Sequence, residues 1–223
     1  LEPVLRVERE HRRHEQRPSD AERRRATILF ADITGFTALT ERLGAERAYP
    51  IVAGCLQVLD ETARKHGGTV EKYLGDCVMA LFGVPEAIED APRAAVNAAI
   101  EMRRRVREYS ASQGDDVRLD VHSGINTGLG IAGDVSGPLI REFAVMGTPV
   151  SVADALKDLA AAGEIYVGLE VYRATREVFQ YRELELLEHE GQAAEPAFAL
   201  LSQHERLHRA RIGAERQLFS ALV

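Results

Sequence analysis

The stretch ATILFADI-TGFT (26–37) constrains the fold more than any other part of the chain. Residues 27–33 are β-branched, aliphatic or aromatic with no polar alternation, which predicts a buried strand. The apolar run ends in an acid, Asp32, and gives way at once to Gly35 and a helix start. A buried strand must be covered, so the chain must supply amphipathic helices to pack on it.

It does supply them. Residues 36–43 and 46–66 carry apolar positions at three- and four-residue spacing (Ile51, Cys55, Val58, Leu59, Thr62), and the second run stops at the pair Gly67-Gly68, a helix-end signal. TVEKYLGDCVMALFG (69–83) is expected to form two short strands in a hairpin around Leu-Gly-Asp. A helix is expected over 90–111, with Asp90 at its start and Pro92 in its first turn. VRLDVHSGINTG (117–128) and LGIAGDV (129–135) predict two strands joined by glycines, and REFAVMG (141–147) a third. A helix over 149–162, a strand over 164–168, late strands near 179–188 and 196–201, and a helix from about 204 complete the pattern. There are no tandem repeats. The expected fold class is α+β, with a ferredoxin-like, mostly antiparallel central sheet and flanking helices.

Composition narrows the function. Hydrophobic residues make up 45% and charged residues 28% of 223, as in globular domains. A formal charge of −7 argues against nucleic acid as partner, and no run has the ~18 apolar residues of a membrane span. With no signal segment and no CxxC spacing, Cys55 and Cys77 are expected to be reduced thiols of a cytoplasmic protein. Residues 1–25 are rich in Arg and Glu and are expected to be a linker or solvated helix broken at Pro18. The chain begins at Leu1 and stops at Val223 within ERQLFSALV, which leads us to expect a piece of a longer protein.

Two acids invite a chemical reading. Asp32 and Asp76 each lie beside a glycine-bearing turn at a strand end. If those strands are neighbours, the pair can hold one or two Mg²⁺ ions, which take oxygen ligands and keep several waters. Two such ions can clamp the attacking and leaving oxygens of a phosphoryl displacement. Each acid also has an ordinary reading, Asp32 as a helix N-cap and Asp76 as a turn residue. The turn ITGFT presents free backbone N–H groups at a helix start, a seat for phosphate. Lys72, on the strand before Asp76, is either a half-exposed hairpin lysine or a donor to a base edge.

ILFADITGFT, GGTVEKYLGDCVMALFG, GINTGLGIAGDV and REFAVMGTPVSVADALKDLAAAGEIYVG resemble the successive motifs of the class III adenylate/guanylate cyclase family, in its order and at its spacing. The resemblance covers about 26–202, leaving 1–25 as a leading segment and 203–223 as a helix or linker toward a following domain. RIGAERQL within that tail resembles the opening of an ATPase module. The resemblance implies a head-to-tail dimer with its active sites at the interface. One chain supplies the metal aspartates, here Asp32 and Asp76, and a backbone ligand near Ile33 for two Mg²⁺ or Mn²⁺ ions; its turn Thr34, Gly35, Phe36, Thr37 receives the triphosphate. The ribose 3′-oxygen of ATP attacks the α-phosphorus, giving cyclic AMP and pyrophosphate.

The other chain of such a dimer supplies the remaining groups, and here the resemblance breaks. Lys72 matches the purine-reading lysine of adenylate cyclases, but its companion position holds Ala144. The ribose-orienting Asn falls at Ser151 and the transition-state Arg at Ala155. The phosphate-contacting KGK-like turn reads Glu190-Gly191-Gln192. Three expectations follow: a degenerate nucleotide-binding or regulatory module, the metal half of a heterodimer with another cyclase domain, or an active homodimer in which a cation such as Arg141 replaces the missing arginine.

Overall fold

A computed structural model describes residues 22–114, 116–136, 141–187 and 194–203. The strands are β1 (Glu22–Thr34), β2 (Thr69–Leu74), β3 (Cys77–Phe82), β4 (Asp120–Ser136), β5 (Arg141–Met146), β6 (Ile165–Gly168), β7 (Phe179–Glu183) and β8 (Ala197–Gln203). The helices are α1 (Phe36–Leu43), α2 (Ala45–Lys65), α3 (Ala91–Ser112), α4 (Thr148–Leu159) and α5 (Leu169–Thr175). One sheet runs β2-β3-β1-β4-β6-β8-β7, with β5 paired to β4 off this path. Every pairing is antiparallel except β4 with β6. The architecture is the expected α+β one, a mostly antiparallel sheet with helices on both faces.

The lack of polar alternation in β1 has a direct cause: both of its faces are covered. Leu29, Ala31 and Ile33 enter the core beneath α2 and α3, with Val78, Ala80 and Phe82 of β3 beside them. Ala26, Ile28 and Phe30 point the other way, into a second cluster with Cys77, Met79, Leu81 and Ala153 of α4. Each such side chain removed from water contributes about 1.5–3 kcal/mol, less for alanine. Asp32 continues the series 26, 28, 30 and so lies on the α4 face of the sheet.

Helix ends follow their local signals. His66 caps α2, and Gly67 at φ +78° turns the chain back so that Gly67 N–H meets Arg64 O and Gly68 N–H meets Ala63 O. These are the two bonds of a Schellman motif, where a left-handed residue favours glycine. Asp90 caps α3 by accepting from Arg93 N–H at 3.3 Å.

Several expectations are corrected. Residues 117–128 and 129–135 do not form two strands; β4 is one strand of 17 residues. Its glycines allow close approach rather than turning: a Cβ at Gly128 would stand 2.7 Å from Pro149 Cγ, and one at Gly130 2.9 Å from Met146 O. β1 begins at Glu22, five residues earlier than the expected strand, because its first residues pair with Leu129 to Ala132 of β4. The strand expected near 179–188 ends at Glu183, followed only by an isolated bridge between Leu187 and Glu195. The seven-residue helix α5 had no periodic signal long enough to announce it. The leading segment up to residue 21, the expected helix from 204, and Glu190-Gly191-Gln192 lie outside the described residues.

Candidate active site

Asp32 sits between two partners. In the register of the sheet it stands opposite Cys77 of β3 and His122 of β4. Paired residues of antiparallel strands project to the same face, so all three rise on the α4 side. The backbone joins the second acid to the first: Ile33 N–H donates to the Asp76 carbonyl at 3.2 Å. Asp76 follows Gly75, at φ +69°, in the tight β2–β3 turn. Strand order and hairpin together bring Asp32, Ile33 and Asp76 to one end of the sheet.

Burial pushes the Cys77 thiol up to about 12; the carboxylates of Asp32, Asp154 and Asp76 add to that and the Lys157 ammonium opposes it. Lys157 is itself half-enclosed, 3.1 Å from Asp154 and 2.7 Å from Asp158. Desolvation alone would lower its affinity for a proton, but those two carboxylates outweigh it and hold the ammonium more firmly protonated than usual. Around Cys77, the carboxylates of Asp32, Asp76 and Asp154 thus stand with the Lys157 ammonium of α4.

After Asp32 the chain runs through Thr34 into Gly35, whose φ of +90° starts α1. A Cβ there would lie 2.5 Å from Arg118 O, so both conformation and space select glycine. No side chain caps α1, and Asp32 is not its cap. The first-turn N–H groups of α1 are left available to an anion, with Phe36 partly buried against the core and Thr37 exposed.

The residues expected to match the other half of the family site stand elsewhere. Lys72 lies on the edge strand β2, exposed, with Nζ 3.2 Å from Glu71 Oε1 at a bulge. Ala144, on β5, pairs with Gly133 and is half-buried. Ser151 is exposed in the first turn of α4; Ala155, one turn on, packs against the cluster of Val152, Leu156, Leu187 and Ala197. Among the described residues, Lys72 pairs with Glu71 and Asp32 with His122, with no ion pair between Lys72 and Asp32 or Asp76. Nor do the described residues gather three or more His, Cys, Asp or Glu side chains into a ready-made metal cage. An ion at Asp32 and Asp76 would complete its shell with backbone, water and phosphate oxygens.

Sequence reasoning passed over His122. Its Nε2 is 3.4 Å from Asp32 Oδ2. Histidine within VRLDVHSG carries no motif signal, and its facing of Asp32 depends on a pairing 90 residues away. A separate cleft of about 330 Å³ lies between the middle of β4 and the starts of α4 and α5, lined by Asn126, Thr148, Val152 and Glu170 among others. Asn126 there donates to Pro149 O at 3.3 Å, a structural role.

No helix among the described residues is long and apolar enough to cross a membrane. Residues 20–202 match the model of the adenylate and guanylate cyclase catalytic domain. An adenylate cyclase of Mycobacterium tuberculosis is 31% identical over 158 residues, 71% of this chain and 35% of that protein. The chain thus spans about a third of the length of that relative. The crystal structure of the adenylyl cyclase CyaB from P. aeruginosa superposes with a TM-score of 0.77 at 30% identity, over 83% of this chain and 97% of the other. A guanylate cyclase domain from Catenaria anguillulae, solved in complex with GTP, shares the fold at a TM-score of 0.72 and 23% identity, covering 81% of this chain and 97% of that one. Asp32 and the turn after it, the Asp76 hairpin and the long β4 thus sit in a fold and a sequence that agree: the chain belongs to the family of adenylate and guanylate cyclase catalytic domains.

Proposed function

We propose that this chain is a cyclase homology domain that binds a divalent metal–ATP complex at a head-to-tail dimer interface, with cyclisation to cyclic AMP and pyrophosphate slow or lost. The observation that carries this reading is an imbalance. Asp32 and Asp76, which the resemblance makes the metal half, lie at one end of the sheet, joined by the Ile33 N–H to Asp76 O bond, whereas Ser151 and Ala155 fall where the resemblance puts the orienting Asn and the transition-state Arg. A bound Mg²⁺ or Mn²⁺ pair would neutralise the triphosphate and polarise the attacking 3′-oxygen. Asp32, Asp76 and the backbone at Ile33 would hold the ions. The turn from Thr34 to Thr37 would seat the phosphates against free N–H groups.

The deficits lie on the other face. Lys72 can donate to the purine, but Ala144 offers nothing to the exocyclic amine. Ser151 is too short to orient the ribose, and Ala155 brings no charge to the pentavalent phosphorus. Losing one preorganised donor of this kind costs about 100- to 1,000-fold in rate. Such losses do not add, because the groups act together. The chain would then serve intracellular, cytoplasmic signalling as a nucleotide-responsive module.

Cyclic AMP formation from Mn²⁺-ATP, measured across protein concentrations beside an intact relative, tests this. The expected result is ATP binding that Asp32→Asn abolishes, with turnover at least 1,000-fold below the relative. Turnover rising more than linearly with protein, at a rate near the relative's, would establish an active homodimer and overturn the reading. The one-sided loss favours a second reading, the metal-binding half of a heterodimer. Mixing with a relative stripped of its own metal aspartates would then restore activity; continued silence removes that option.

A further inference from the structure

We infer that His122 is a nitrogen ligand of the ion held at Asp32, and that it biases this site toward first-row transition ions over Mg²⁺. This rests on the reading of Asp32 as a metal ligand and adds a residue and a selectivity to it.

Three observations carry the inference. His122 and Asp32 are directly opposed in the β1–β4 register, so both side chains stand on the α4 face. His122 Nε2 is buried and has no hydrogen-bond partner among the described residues, although Asp32 Oδ2 is 3.4 Å away. A buried ring nitrogen with nothing to bond is costly, and such groups persist where a ligand or ion completes them. The third observation is the separation itself. A charge-assisted hydrogen bond between nitrogen and carboxylate would be about 2.7–2.9 Å. Two donors each about 2.1 Å from one ion, at the angles of octahedral or tetrahedral geometry, stand roughly 3.0–3.4 Å apart. The pair is spaced like two ligands of one ion, and its side chains are only 18% and 24% exposed.

The chemistry of the donors sets the preference. Mg²⁺ takes oxygen and gives up water reluctantly. A neutral imidazole favours the first-row ions, with affinity rising from Mn²⁺ through Co²⁺. The resulting donor set is one carboxylate oxygen from Asp32 and one nitrogen from His122, with Asp76, the backbone at Ile33, water and phosphate left to fill the shell.

The test is pulsed electron paramagnetic resonance of Mn²⁺ bound to the whole chain with inorganic tripolyphosphate, which contains no nitrogen. The expected spectrum shows ¹⁴N modulation from a coordinated imidazole. His122→Gln removes it and weakens Mn²⁺ binding on the order of tenfold, while Mg²⁺ affinity changes less than about twofold. Asp32→Asn abolishes binding of both ions. His122→Asn serves as the second variant if glutamine is not accommodated, with circular dichroism checking each fold. Bound Mn²⁺ that needs Asp32 but shows no nitrogen modulation would overturn the role of His122 and leave the metal site standing. Modulation that survives both His122 variants would overturn it equally, as another histidine would be the source. Mn²⁺ that fails to bind, or binds regardless of Asp32, would remove both the inference and the reading beneath it.

Discussion

At Gly124 the backbone of α4 touches β4. A Cβ there would lie 2.1 Å from Ala153 O and 2.3 Å from Lys157 N, both main-chain atoms that cannot swing aside. Gly124→Ala is therefore expected to lift α4 from the sheet and destabilise the chain by about 1–3 kcal/mol or more, read as a lower urea midpoint. The same displacement moves Ser151 and Ala155, which ride on α4. The thiols make a second case. Burial pushes both Cys55 and Cys77 up to about 12. A thiol acts as a nucleophile only as thiolate. The folded chain is expected to leave a thiol reagent unreacted at pH 8 and to release both equivalents on unfolding; rapid labelling of Cys77 in the native state would mean that the Asp32 edge is open.

The helices α2 and α3 are locked to each other at Glu101. This carboxylate lies 2.6 Å from Lys65 Nζ and 2.8 Å from His66 Nε2 at the end of α2, and 3.6 Å from Arg104 on its own helix. Burial pushes Glu101 up, but the hydrogen bonds from Lys65 and His66 outweigh it and hold the carboxyl below its usual range. A depressed folded-state value contributes stability above the ordinary glutamate value, about 4.3, and loses it as pH falls through the folded one. Glu101→Gln is accordingly expected to lower stability at pH 7, with the gap to wild type closing below about pH 4. A gap that stays constant in acid would assign the effect to packing. Elements with such local anchors were legible beforehand: the Gly67-Gly68 end of α2 and the Asp90 start of α3 fall where their caps signal. β4 was not, because Gly128 and Gly130 look like turn residues until Pro149 and Met146 are packed against them.

Across the whole molecule, the residues of the two proposed half-sites lie on different regions of one chain. Asp32 and Asp76 lie at one end of the sheet, Ser151 and Ala155 on α4, and Lys72 on the edge strand β2. Leu129, Ile131 and Met146 form an exposed apolar group on the paired strands β4 and β5. If the deficit lies only in the missing side chains, Ser151→Asn with Ala155→Arg is expected to raise cyclic AMP formation at least 100-fold over wild type. If, as proposed, one chain's Asn and Arg act on the metal half of its partner, the gain scales more than linearly with protein. No gain in a folded, dimeric variant would place the defect at Ala144 or in the dimer geometry instead.

Whatever depends on near neighbours can be read from the chain alone. The β1 run, the hairpin at Leu74-Gly75-Asp76, the helix periods and caps, and the family motifs are all written within a few residues of where they act. Tertiary structure alone decided what depends on pairing between distant segments. The unbroken β4, the first residues of β1, helix α5, and His122 facing Asp32 have no local signature. Strand register is fixed by which side chains must enter the core on each face, and a slip of one residue would turn His122 away. That constraint is exerted by α4, α2 and α3 through packing, which no short stretch of chain can express.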